Sequence, residues 1–300
     1  GTETCLKIGG YVRFQVDFDS RDAAYFGDNW DAFTRGRVDF TAKSDTELGE
    51  LTGFIAIHGD ASDNGATTAL ASAVGSGSSA FYLEEVYLQL GGFKAGTYLN
   101  WWDKGINGET DRLASSVTTR MTSIAYIYTG EAFTAGVQLD ELTARDYSSL
   151  VDGQDLGIEG IVTASLGAAS IDLLGAYDFA NEEGAVRALV SANVGPGTLQ
   201  LAGVWSSGIN VYYDRAEWTI AGSYAFNATD KFTITPGVQY FANTNVDASG
   251  DFFGDDGWRA GVTAGYAITS GMSMLATVNY NDFDGSDEFW DGFVRLQRSF

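Results

Sequence analysis

The chain has 300 residues, with 38 glycines, 14% aromatic residues and only 2 prolines. Its formal net charge of −23 argues against nucleic acid as a partner, because phosphate binding needs clustered lysine and arginine. The sequence has no run of about 18 apolar residues, which excludes a transmembrane helix, and the single cysteine excludes an internal disulfide framework. No signal peptide is recognisable, so we expect a mature or trimmed chain.

The first predicted strand, residues 6–18, shows the pattern that the rest of the chain repeats. Its even positions are apolar or glycine, whereas most odd positions are polar or charged. Alternate side chains of a strand point to opposite faces, so one face is apolar and the other is charged. About 9–11 residues are enough for a tilted strand to cross a bilayer, and this segment is long enough to do so.

The same alternation recurs along the chain and predicts sixteen strands. In residues 213–226, for example, the even positions from Ala216 to Phe226 form the apolar face. The predicted strands are residues 6–18, 35–43, 50–60, 81–90, 93–99, 120–128, 133–140, 156–166, 170–178, 186–194, 198–206, 213–226, 231–241, 258–268, 272–281 and 289–300.

The connections between these strands alternate between short turns and longer, mostly acidic loops. The longer ones cover residues 20–30, 60–79, 100–118, 141–155, 178–184, 242–257 and 282–288. Short turns at one rim and long loops at the other are typical of outer-membrane barrels. We therefore predict one domain, residues 1–300, folded as an all-β, 16-stranded antiparallel transmembrane β-barrel with short periplasmic turns and long outer loops. A soluble β-sandwich or propeller would also alternate, but it does not explain uniformly long strands with a charged inner face.

Residues 100–118 form the third long connection and carry two tryptophans, two glycines and charges of both signs. Connections of this length without secondary structure are uncommon and are usually functional. We predict that this segment folds into the lumen of the barrel and forms the narrow part of a pore.

Four inward-facing arginines are predicted on neighbouring strands opposite this loop. Because the last strand closes against the first, these arginines would form a cationic wall that faces the small acidic excess of the loop. Their alternative role is to pair with inward carboxylates such as Asp39 and Glu85. Rings of charged side chains set ionic preference; the wall favours anions at mid-height, and the acidic outer loops favour cations at the mouth. The predicted constriction consists of Arg13, Arg35, Arg37, Arg295, Asp103, Glu109, Asp111, Arg112, Trp101 and Trp102. For the two tryptophans, anchoring of the loop by packing is favoured over contact with a solute.

Enzymatic chemistry has few candidate residues in this chain. A Ser-His-Asp hydrolase would have to use His58, which is the only histidine; we expect a polar lumen residue there and no catalytic site. Acidic outer-loop residues Asp251, Asp255 and Asp256 are weak candidates for Ca²⁺ ligands, but they lack EF-hand spacing. We therefore predict no enzyme and no cofactor, with solvated loops as the expected role of these carboxylates.

Three segments resemble a known family. Residues 1–13, Gly-Thr-Glu-Thr-Cys-Leu-Lys-Ile-Gly-Gly-Tyr-Val-Arg, resemble the opening strand of alphaproteobacterial porins of the Brucella and rhizobial type, and residues 82–93 resemble the strand that leads to their pore loop. The terminal Phe300 matches the aromatic residue by which outer-membrane proteins are recognised for assembly, although Arg298 departs from that pattern. The resemblance implies a trimeric general-diffusion porin with its third long loop inside the barrel. It also leaves open whether Cys5 has a partner in a longer chain or is a lone thiol.

These observations together predict a porin of the bacterial outer membrane that passes small hydrophilic solutes and ions by passive diffusion. Expected partners are membrane lipid, lipopolysaccharide and two further copies of the chain in a homotrimer. The first alternative is a substrate-selective channel, for instance for sugars that stack on the loop tryptophans. The alternatives of another class are a structural or adhesive barrel and a lipid-hydrolysing barrel that uses His58.

Overall fold

A computed structural model describes residues 4–21, 28–61, 79–142 and 155–300 of the chain. The predicted long loops over residues 20–30, 60–79 and 141–155 lie largely outside the described residues. Among the described residues, no helix is long and apolar enough to cross a membrane. The strands are β1 (Cys5–Asp19), β2 (Trp30–Thr46), β3 (Gly49–Ala61), β4 (Ser79–Leu90), β5 (Phe93–Leu99), β6 (Arg120–Thr129), β7 (Phe133–Glu141), β8 (Leu156–Ser165), β9 (Ala169–Asp178), β10 (Glu183–Val194), β11 (Gly197–Ser206), β12 (Trp218–Asn227), β13 (Phe232–Ala242), β14 (Asn245–Val246), β15 (Phe252–Phe253), β16 (Gly257–Thr269), β17 (Met272–Phe283) and β18 (Phe289–Ser299).

Sixteen of these strands form a closed antiparallel barrel, as predicted. Each strand pairs with its neighbours in sequence, except that β13 pairs with β16 across the small β14–β15 hairpin. The barrel closes where β1 pairs with β18, and the backbone groups of Gly10 and Phe300 exchange two hydrogen bonds of 3.1 Å. The short turns and both described chain ends therefore lie at one rim, and the strand ends that the longer connections join lie at the other.

The two faces of the sheet differ as the alternation predicts. On β12 the side chains of Trp218 and Ile220 are 52% and 68% exposed on the outside, whereas the intervening Thr219 and the following Ala221 are buried. An apolar outer face around a polar interior is the arrangement that a lipid environment requires of a spanning barrel.

One strand starts later than the alternation predicts. The predicted twelfth strand begins at residue 213, but β12 begins at Trp218. The side-chain oxygen of Asn210 accepts hydrogen bonds from the backbone N–H groups of Tyr212 and Tyr213, which forms an Asx turn and directs the chain inward. The prediction that Ala216 faces lipid is consequently wrong, because its side chain is fully buried. The hairpin β14–β15 is also absent from the predicted strands.

Gly10 provides a test of barrel closure. It has φ +150°, and a Cβ atom there would approach the carbonyl oxygen of Arg37 to 2.1 Å. We expect Gly10→Ala to destabilise the β1–β2 pairing by at least about 2 kcal/mol, because the backbone of one strand must move. Heat-dependent mobility in gel electrophoresis would report this as a lower unfolding temperature.

Gly36 is the matched control for this substitution, because it lies in β2 and a Cβ atom added to it would have no other atom within 4 Å. Gly36→Ala should leave the unfolding temperature nearly unchanged. Equal behaviour of the two variants would contradict the assigned role of Gly10.

Candidate functional site

Residues 100–118, here called the inner loop, leave β5 at a tightly closed neck. The backbone N–H of Asn100 donates to the carbonyl oxygen of Thr119 at 2.7 Å. The Asn100 side chain accepts from the backbone N–H of Trp102 at 3.1 Å and so caps a single 3₁₀ turn, Trp101–Asp103. The Asp103 carboxylate accepts the Thr119 hydroxyl at 2.6 Å, so this predicted constriction residue is bonded within the neck of the loop.

From this neck the inner loop crosses the lumen and is held by inward-facing side chains of five strands between β9 and β16. Most of these side chains bond the backbone of the loop, which fixes its path and leaves several of its side chains free to face the lumen. The contacts are Lys104 with Asp172 of β9, Arg187 of β10 with the carbonyl oxygens of Trp101 and Trp102, Asn107 N–H with Gln200 of β11, Glu109 N–H with Thr263 of β16, and Arg112 N–H with Gln239 of β13.

The two tryptophans of the inner loop serve its packing. Trp102 is fully buried, with ring centroids 6.4 Å from both Tyr212 and Tyr213. The Trp101 ring lies so close to Gly136 that a Cβ atom there would approach it to 2.7 Å. Trp102 is thus enclosed by packing, as expected of a residue that anchors the loop.

A second inward segment, residues 207–217 between β11 and β12, supports the inner loop. The Tyr212 hydroxyl donates to Asp140 at 2.6 Å, and the guanidinium of Arg215 donates to the carbonyl oxygen of Ala114 in the inner loop at 2.9 Å. This segment is absent from the sequence predictions, because residues from 213 onward were predicted to form a strand. The available signal was the adjacent pair Tyr212-Tyr213, which breaks the alternation of apolar and polar positions.

Two of the four predicted arginines are neutralised by neighbouring carboxylates. Arg35 forms a two-pronged ion pair with Asp60, with N···O distances of 2.6 and 2.7 Å. Arg37 bonds Asp39 at 2.7 Å and Glu85 at 3.2 Å. These contacts brace the wall. The Arg35–Asp60 pair is neutral, and the two carboxylates around Arg37 outweigh its positive charge.

The other two arginines bond only neutral side chains of the wall. Arg13 donates to Gln297 at 2.9 and 2.8 Å, and Arg295 donates to Gln15 at 2.6 Å. Within the described part of the chain, neither guanidinium forms an ion pair with a strand carboxylate. The inner loop brings Glu109 to 3.9 Å from Arg295. Opposite charges therefore meet here, where the inner loop approaches strands β1 and β18.

Two other charged residues of the predicted constriction, Asp111 and Arg112, are more enclosed. Burial raises the pKa of the Asp111 carboxyl to about 6, an effect that nearby Arg112 only partly offsets. Burial also lowers the pKa of Arg112 to about 10, with Arg259 as the largest charged contributor. The structure thus brings Glu109 together with Arg13 and Arg295, and it places Asp103, Asp111 and Arg112 elsewhere along the loop.

The raised pKa of Asp111 gives a pH-dependent prediction. A carboxyl whose folded-state pKa exceeds its unfolded value favours folding below the unfolded value, and this contribution is lost as pH rises through the folded value. Asp111→Asn, which imitates the protonated form, should melt at a higher temperature than the unmodified protein above pH 6. The difference should disappear as pH falls below about 4.

Asp103→Asn is the matched control for the pH experiment, because Asp103 is an exposed carboxylate of the same loop. It should not raise the melting temperature at any pH. Thermal unfolding followed by circular dichroism between pH 4 and 8 makes the comparison, and a melting curve for Asp111→Asn that matches the parent at pH 8 would contradict the assignment.

The residues considered for catalysis and metal binding lie apart from the inner loop. His58 is buried at 3.5 Å from Asp60 and 3.4 Å from Glu84, within the network that braces β3 and β4. Both oxygens of Asp256 are bonded within the outer loops, to Tyr240 and to the backbone of Asn243. Across the described residues, no group of three or more metal-ligating side chains, including those of Asp251 and Asp255, is arranged to hold a metal ion.

The barrel, its apolar exterior and the loop across its charged lumen define a transmembrane channel protein. The chain belongs to the porin subfamily, whose family model matches residues 1–296. It is 49% identical over 310 residues to a putative outer membrane protein, y4fJ, of Sinorhizobium fredii, a match that covers 100% of this chain and 84% of that protein. It is 30% identical over 340 residues to the porin Omp2a of Brucella suis, covering 100% of this chain and 86% of the relative. The protein is therefore an outer-membrane porin.

Solved structures agree on the fold. An anion-selective porin from Comamonas acidovorans matches with a TM-score of 0.71 at 14% identity, covering 99% of this chain and 100% of the other. The trimer form of OmpT from Vibrio cholerae matches with a TM-score of 0.68 at 11% identity, covering 99% of each chain. At these identities the similarity supports the architecture of the barrel.

Proposed function

We propose that small hydrophilic solutes and ions pass through this porin by passive diffusion, and that the narrowest part of the passage lies beside the inner loop, lined by Glu109, Arg13 and Arg295. The observation that carries the proposal is the path of the inner loop, which is bonded across the lumen from Asp172 to Thr263. This path brings the Glu109 carboxylate to 3.9 Å from the Arg295 guanidinium.

Simple geometry supports this passage as a sieve. Sixteen strands about 4.8 Å apart and tilted by about 40° close to a cylinder roughly 30 Å across, and an inserted loop leaves an opening of roughly 10 Å. Such an opening passes ions, sugars and amino acids and stops proteins. Its width is comparable with the Debye length of about 8 Å, so salt does not remove the field between Glu109 and the arginines.

A cavity of about 440 Å³ lies on the side of the constriction that faces the short turns. Arg13, Arg295 and Gln297 line it together with Lys231 and Thr233. Polar side chains along this exit keep water in contact with a solute that has passed the constriction, which favours hydrophilic over apolar solutes.

A homotrimer embedded in lipid and lipopolysaccharide completes the proposal. Its support is the similarity of fold to OmpT, which was solved in a trimer form, and the continuous apolar outer face of the barrel. Native mass spectrometry of the detergent-solubilised protein should give three times the mass of one chain, and a purely monomeric spectrum would contradict this part of the proposal.

Planar-bilayer recording tests the proposed diffusion. We expect stepwise insertion of open channels whose conductance rises nearly linearly with salt concentration. Saturable block of the current by one sugar would favour the substrate-selective alternative. Absence of conductance would exclude both the diffusion pore and the selective channel. The structure gives the sugar-stacking alternative no particular support, because Trp102 is fully buried.

A further inference from the structure

A second charged cavity lies at the opposite end of the lumen, towards the long loops. Its volume is about 360 Å³, which falls in the range of small-molecule sites. The inner loop, the segment 207–217 and the outer ends of β13, β16, β17 and β18 surround it. The residues that matter for its chemistry are Arg112, Arg215, Arg259, Asp291, Phe241 and Phe283.

Only part of the positive charge in this cavity is neutralised. Arg259 pairs with Asp291 through two hydrogen bonds of 2.5 and 2.7 Å. The carboxylate of Asp214 at the rim accepts from the backbone N–H of Ser116 at 2.8 Å and from the Ser116 hydroxyl. Asp291 and Asp214 are the two carboxylates among the lining residues, and Arg21, the fourth arginine of the lining, pairs with Asp19 at 2.5 Å.

Two guanidiniums in the same cavity bond only backbone carbonyl oxygens. Arg112 donates to the carbonyl of Asp111 at 3.1 Å, and Arg215 donates through Nε to the carbonyl of Ala114 at 2.9 Å. Among the described residues neither forms an ion pair. Burial and the neighbouring Arg259 hold the pKa of Arg112 down to about 10, and the nearby carboxylates of Asp291 and Asp111 offset this only in part.

The wall beside these guanidiniums is aromatic. The rings of Phe241 and Phe283 lie 5.4 Å apart, and Phe241 is almost completely buried. A ligand that fills the cavity therefore meets a fork of charged N–H donors on one side and apolar rings on the other. Arginine forks match the planar geometry of a carboxylate.

We propose that this cavity binds a small organic carboxylate, with its charged group between Arg112 and Arg215 and its apolar body against Phe241 and Phe283. The site lies on the outer side of the constriction, where a solute arrives before it reaches Glu109. It concentrates aromatic and aliphatic carboxylates at the mouth, a selectivity that diffusion through the constriction alone does not provide.

Benzoate is a suitable probe, with benzyl alcohol as the uncharged compound of similar shape. Isothermal titration of the purified full-length protein in detergent should show saturable binding of benzoate and much weaker binding of benzyl alcohol. Arg112→Gln keeps the backbone bonds of the loop to Gln239 and should weaken benzoate binding roughly tenfold, the usual effect of losing one charge-assisted hydrogen bond. Arg215→Gln should do the same independently.

Arg13→Gln is the matched control, because it removes the same charge from the lumen at the constriction. It should leave the benzoate affinity unchanged within about twofold, since additivity holds for distant sites. Equal benzoate affinity in the parent protein and in both Arg112→Gln and Arg215→Gln would overturn the proposal, as would equal binding of benzyl alcohol or no saturable binding of benzoate. Bilayer conductance, measured on the same preparations, tests the diffusion function separately.

Discussion

Replacing Arg13 and Arg295 together by glutamine should shift the reversal potential across a salt gradient towards cation preference. A unit charge about 8 Å from a permeating ion in water contributes about 0.5 kcal/mol, or about 0.2 kcal/mol after screening over one Debye length. The cation gains from the double substitution what the anion loses. The cation-to-anion permeability ratio is therefore expected to rise about fourfold.

The neighbouring pair Arg35 and Asp60 supplies the control for this experiment. Arg35→Gln combined with Asp60→Asn removes an ion pair from the same wall at constant net charge, so the reversal potential should stay where it is. Glu109→Gln should move it in the opposite direction, towards anions. An unchanged reversal potential in the Arg13 and Arg295 double variant would refute the proposed constriction.

Trp102→Ala is expected to have the largest effect on stability. The ring is fully buried between Tyr212 and Tyr213, and the guanidinium of Arg187 lies 5.3 Å from its centroid. Removing a buried tryptophan side chain costs about 3–5 kcal/mol, because a cavity remains in place of its contacts. Urea unfolding of the folded protein should show this loss as a lower midpoint.

The same substitution should also affect the current. Without Trp102, the inner loop keeps its backbone bonds but loses its packing against segment 207–217, so the open channel should become noisier. Trp30→Ala is the control, because that ring is 59% exposed and its loss should cost about 1 kcal/mol or less. A quiet Trp102→Ala channel with an unchanged urea midpoint would show that the packing does not hold the loop.

The architecture of the barrel could be predicted from the sequence because it depends on a local, repeating signal. Alternation of apolar and polar side chains fixes which face of each strand meets lipid. The number of strands and the position of the closing strand follow from counting those segments. The path of residues 100–118 was predictable for a related reason: their length and polarity exclude a simple hairpin turn.

The details of the lumen depend on contacts between distant residues, which alternation does not report. Arg13 and Arg35 look alike in sequence, yet Arg35 meets Asp60 of β3 whereas Arg13 meets the neutral Gln297 of β18. The sequence could not show which arginines pair with a strand carboxylate and which bond only neutral side chains. The inward turn at Asn210 is a different case, because it is local: the Asn210 side chain accepts from the backbone N–H groups of Tyr212 and Tyr213, an interaction that alternation does not report either.

The seam between β1 and β18 has a consequence for biogenesis. Residues Arg13 and Gln297 on either side of it are 284 positions apart, so this pairing has the largest loop-closure entropy in the molecule and a slow formation is expected. Until it forms, both strands present unpaired edges that can associate with other chains. Arg13 and Arg295 lie on these two strands, so an assembly intermediate with an open seam has neither a sealed wall nor a finished filter. Pairing of β18 with β1 thus completes the charged constriction and removes the aggregation-prone edges in one step, and this step requires the last strand of the chain.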